Sequence, residues 1–235
     1  MTKKLFSTDE SYKQMIKKYN KVDGFLVFAF FALYLILLYL TGQVLIHFNM
    51  LITAPFGITT AVLVFVLVRI RKQTLKTIGI TKSNFLRSSL VGLVLSMPLI
   101  IFNVVPEIIA ISQPIQPFDV LYSVFFYLIV ISFSEEIIFR GYIQPRLHGL
   151  IKYDFLAIAA GGIMFSAMHI PFQAALYYFQ NGKFWPSWIT PIQLLLWFGW
   201  HVVFNIIYRK YNSLAGPVIL HFFMNFTIIQ AVFFI

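Results

Sequence analysis

Two adjacent carboxylates, Glu135 and Glu136, and a cation four residues further on, Arg140, interrupt an otherwise apolar stretch of the chain. On a helix, neighbouring residues diverge by about 100°, so the two glutamates point in different directions and have different tasks. Glu136 and Arg140 share one face at the spacing that lets a carboxylate meet a guanidinium. They read as a structural pair supporting the site, which leaves Glu135 as the titratable group suited to general-base chemistry.

Three of the five histidines, His169, His201 and His221, also lie in apolar sequence. His169 closes the run Phe165-Ser166-Ala167-Met168-His169 and precedes Ile170-Pro171, so the sequence predicts a helix break just beyond it and an imidazole lining a cavity. His221 and Asn225 are four apart and offer two donors on one helical face; His201 and Asn205 repeat that spacing, so the spacing alone does not identify a site. Glu107, next to Pro106, reads as a structural residue near a span end.

The elements that must carry these residues are membrane helices. The chain has 235 residues, 60% of them hydrophobic and 11% charged, against about 25% charged in an average globular protein. Apolar runs predict an all-α, polytopic transmembrane bundle of about seven spans, near 25–46, 51–69, 89–112, 120–143, 155–170, 188–208 and 213–235, with an eighth if 171–186 crosses. Residues 1–24 read as a cytoplasmic N-terminal tail and 25–235 as a single transmembrane domain. Continuous apolar runs exclude a porin-like barrel. The net charge of +10 does not form a nucleic-acid-binding stripe, because seventeen of the eighteen Lys and Arg residues fall on one side of this layout and only Lys183 falls on the other. That asymmetry places the N-terminus in the cytoplasm. It counts Arg140, Arg146 and Lys152 together as following span four. The absence of Cys removes disulfide and thiolate chemistry.

Three motifs in order, Glu135-Glu136-Ile137-Ile138-Phe139-Arg140, Phe165 to His169 and His221 to Asn225, resemble those of the CAAX protease and bacteriocin-processing (CPBP, or Abi) family of intramembrane proteases. The resemblance covers about residues 75–235 and leaves the first two spans outside a protease-like core. It implies an intramembrane peptidase with a water-filled cavity open to the cytoplasm. Glu135, assisted by His169, would activate water, and His221 with Asn225 would donate to the oxyanion. It also favours His221 over His201. No cofactor is implied by this reading; the rival takes zinc on Glu135, His169 and His221. Helix rise places His169 about 21 Å from the cytoplasmic edge, and Glu135 reaches that depth only if span four continues beyond Arg140.

The expected partners are the bilayer and a peptide or membrane-protein substrate, preferably a short secreted, signalling or bacteriocin-like peptide in a bacterial cell membrane. No nucleic acid is expected, and the sequence does not specify an oligomeric state. The alternatives are a non-catalytic scaffold or immunity protein of the same fold, and a proton-relaying transporter, which would more naturally show repeated halves and paired broken helices.

Overall fold

The computed structural model describes residues 7–47, 50–112 and 114–228, with the side chains of 47 and 50–53 outside that description. Among the described residues the protein is helical and has no strand. A short helix α1, Glu10–Ile16, starts at Asp9, whose carboxylate accepts from the Ser11 amide at 2.8 Å. Then come α2, Lys21–His47; α3, Met50–Ile70; α4, Phe85–Ala110; α5, Pro117–Gly149; α6, Asp154–Asn181; α7, Pro191–Tyr211; and α8, Ala215–Asn225.

Five of these, α2, α4, α5, α6 and α7, are long and apolar enough to cross a membrane, and the chain is an integral membrane protein. The seven or eight expected spans are not reproduced as such. The second corresponds to α3, which counts as a shorter apolar helix, Ala54–Ile70. The seventh is represented by the 11 residues of α8, and 229–235 lie outside the described residues.

The expected break after His169 does not occur. Helix α6 runs through Pro171 for 28 residues and ends only where Gly182 turns left-handed at φ 66°. Proline removes one rung of the backbone ladder, to the Ala167 carbonyl, but packing along α2 and α7 holds the turns on either side. The stretch 171–186, expected as a loop or an eighth helix, is therefore largely a continuation of α6.

Helix α5 is the centre of the bundle. Every residue from Glu136 to Leu147 is buried, as expected of a helix enclosed by others on all sides. Its path is π-helical at Phe126–Phe133 and Ile137–Ile143, around an α-helical Ser134–Glu136; π segments are rare and concentrate at functional sites. Because α5 continues to Gly149, Arg140 and Arg146 lie inside the bundle rather than in a link after span four. Arg146 donates to the Gly141 and Tyr142 carbonyls at 3.0 and 3.2 Å and to Gln73, and lies over the Tyr19 and Tyr142 rings. Gln73 in turn donates to Asp23, which also binds Arg71 at 3.0 Å.

Glycines set two close helix contacts, as small residues do in membrane proteins. A Cβ at Gly92 of α4 would strike the Gly216 backbone of α8, and one at Gly57 would lie 3.0 Å from the Val130 carbonyl. The Gly216 amide donates to Ser88 Oγ at 2.9 Å, fixing α8 against α4.

Candidate active site

Glu135 and His169 face one cavity of about 250 Å³. Its walls come from α2 (Tyr34, Leu37, Leu38), α3 (Phe56, Gly57, Thr60), α5 (Phe126, Val130) and α6 (Met168, Phe172). Thr41, Thr60 and Ser134 spend their hydroxyls on their own helices, at Leu37, Gly57 and Ile129, Tyr34 turns its hydroxyl to Met168 and Gln173 accepts from Trp188, which leaves Glu135 and His169 as the carboxylate and the imidazole on the wall. The continuation of α5 resolves the depth problem. Glu135 lies fourteen residues before Gly149 and His169 fifteen after Asp154, so both are roughly 21 Å from the same end at about 1.5 Å per residue.

That end carries most of the bundle's charged groups, including Arg71, Asp154 and Arg209, and the cavity runs from Glu135 towards the opposite end. The cytoplasm-facing cavity implied by the resemblance would instead lie on the charged side. On that side Arg71 and Gln73 donate to Asp23, and Arg146 donates to Gln73, beyond Glu136.

Behind Glu135 stands a line of buried ionisable groups. His221 Nε2 is 3.7 Å from Glu135 Oε2, His221 Nδ1 donates to Glu136 Oε1 at 2.8 Å, and Arg140 Nη1 donates to the same oxygen at 3.0 Å. Glu136 and Arg140 are fully buried and His221 is 1% exposed. The Arg140 guanidinium lies between the Phe165 and Phe204 rings, 4.4 and 4.7 Å from their centroids. This matters because an unpaired charge at such a site costs several kcal/mol. Glu135 Oε2 is buried on the His221 side without a hydrogen bond, while the Glu135 side chain as a whole is 19% exposed and lines the cavity.

His169 Nδ1 lies 2.8 Å from the Phe165 carbonyl. A carbonyl only accepts, so Nδ1 carries the hydrogen and Nε2 of the neutral ring is an acceptor. The ring stacks on Trp197 at 4.2 Å and 9°.

The structure thus brings Glu135 and His169 to one cavity and joins His221, Glu136 and Arg140 into one line, but His221 and Asn225 do not line the cavity. Asn225 is the last residue of α8, half-buried. Among the described residues no three His, Asp or Glu side chains gather as a metal-binding group, so the Glu135, His169 and His221 set of the zinc alternative is not assembled in this arrangement. His201 is buried 3.1 Å from Gln144 Oε1 and does not line the cavity. Glu107 sits near the end of α4 and is exposed.

Sequence reasoning missed the α2 and α3 walls, which hold no reactive group, and Trp197, which looked like one more membrane aromatic. The Gly57 contact with Val130 gave no signal, since its partner lies far along the chain.

No curated protein and no solved structure matches the chain. Residues 117–227 match the family described as Type II CAAX prenyl endopeptidase Rce1-like, and the three motifs fall in order inside that match, so this part of the chain is similar to the CPBP/CAAX protease family.

Proposed function

We propose that the protein is an intramembrane endopeptidase that hydrolyses a peptide bond of a membrane-associated peptide. The observation that carries this is the shared exposure of Glu135 and His169 in a cavity deep in the bundle, with Glu135 backed by His221, Glu136 and Arg140. A water between the two donates one hydrogen bond to His169 Nε2 and gives its other proton to Glu135 as its oxygen bonds to the scissile carbonyl carbon. Asn225 and, one turn earlier on α8, His221 as an imidazolium, with Nδ1–H on Glu136 and Nε2–H free to donate, are the proposed donors to the oxyanion, each contributing on the order of 2.7 to 4 kcal/mol. Reaching it requires the substrate to part the end of α8 from Glu135. The C–N bond then breaks, the Glu135 proton passes to the leaving nitrogen, and a carboxylic acid and an amine result, which exchange a proton to leave as carboxylate and ammonium.

The reading needs no metal. It assigns an N-terminus in the cytoplasm of a bacterial cell and a short signalling or bacteriocin-like substrate. Cleavage of candidate peptides in liposomes tests it: wild type cleaves, Glu135→Gln and His169→Ala do not, and cleavage retained by Glu135→Gln sinks the glutamate mechanism.

A further inference from the structure

We infer that Trp197 is a positioning residue for His169, a task outside the three motifs and resting on the peptidase reading. The torsion that turns a histidine ring is broad and roughly two-fold, so placing the imidazole near the cavity does not by itself decide which nitrogen faces it. Two contacts decide it here. The Phe165 carbonyl takes Nδ1–H at 2.8 Å, which turns the opposite ring edge, with Nε2, away from the α6 backbone. The Trp197 indole lies parallel to the imidazole, 4.2 Å away and within 9°, and sets the tilt of the ring about that hydrogen bond. Phe165 closes from the side, edge-on at 5.2 Å and 76°.

Trp197 is itself held in register. Ser166 Oγ shares its hydrogen between the Gly162 carbonyl of its own helix at 3.0 Å and the Leu194 carbonyl at 2.9 Å, three residues before Trp197, and a Cβ at Gly162 would come within 2.5 Å of the Phe198 ring, so α7 is pinned to α6 on both sides of the stack. The support falls where α6 needs it. Pro171 has no amide hydrogen for the Ala167 carbonyl, so the backbone carrying His169 lacks a rung two residues beyond it. Ordinary aromatic packing would fill the same space without fixing the ring, and the two differ in what is lost when the indole is replaced.

The test compares wild type with Trp197→Phe, Trp197→Leu and Trp197→Met, the last keeping bulk should the leucine variant not fold. Steady-state cleavage of the membrane peptide is measured, with NMR of histidine-labelled protein alongside. The expected result is a fall in kcat of about tenfold or more for the leucine and methionine variants, with KM little changed and Trp197→Phe recovering most of the rate. The His169 ring resonances should also lose the upfield displacement of a stacked indole. Unchanged kcat and unchanged His169 resonances in the leucine or methionine variant, with His169→Ala inactive, overturn the inference alone. So does a kcat loss that follows thermal stability equally in all three variants. Full activity in His169→Ala overturns the peptidase reading of His169, and this inference with it.

Discussion

Removing one member of the Glu136 and Arg140 pair should destabilise the protein far more than removing both. Each side chain is fully buried, one hydrogen bond of 3.0 Å joins them, and Glu136 has its second bond, 2.8 Å, from His221. Glu136→Gln keeps the shape but leaves the guanidinium between Phe165 and Phe204 without a carboxylate; breaking a buried pair this way costs about 3 to 5 kcal/mol. Arg140→Met strands the Glu136 charge at similar cost. In the double variant neither charge remains, so the combined loss should fall short of the sum of the singles by at least about 1.5 kcal/mol. Reversible unfolding in mixed micelles by titration with sodium dodecyl sulfate, followed by helical circular dichroism, measures all four corners. Single losses below about 1 kcal/mol that simply add would mean a solvent-screened pair, and would refute the account of a dry interior behind the site.

Glu135→Gln should lower the cleavage rate by about 10² to 10⁴ while leaving the unfolding midpoint near wild type, because Oε2 has no hydrogen bond to lose. Gly161→Ala should destabilise by roughly 1 to 3 kcal/mol in the same unfolding assay, since its Cβ would collide with Gln144 Oε1 and the His201 ring. Leu38→Trp, on the cavity wall, should raise KM more than it lowers kcat in steady-state cleavage by occupying part of the roughly 250 Å³. Incubation with a strong zinc chelator should leave the cleavage rate unchanged; loss with recovery on adding zinc would restore the metal mechanism.

The polar residues of the site were legible because each is costly in an apolar segment, and Glu136 to Arg140 could be paired by helix geometry alone. What failed were the inferences that depend on neighbours. Pro171 should end a helix in isolation, yet α6 continues because α2 and α7 lie alongside it. Arg146 looked like a loop cation, yet Gln73, far away in sequence, and two carbonyls of its own helix let it be buried. The cavity followed the same pattern: Leu37, Leu38 and Phe56 are ordinary membrane residues until α2 and α3 are folded against α5.

The Gly92 contact with Gly216 has a bearing on how such a protein can be divided. Helix α8 carries His221 yet has only 11 residues, and its seat is the small-residue patch of α4, which precedes the family-matched segment 117–227. Two cavity walls precede it as well. A polypeptide expressed as 117–227 alone would keep every motif and lack the surfaces that set their distances. Expressed together with a separate 1–112 piece, it has a docking partner, so recovery of cleavage by the two fragments reports assembly of the interface rather than chemistry.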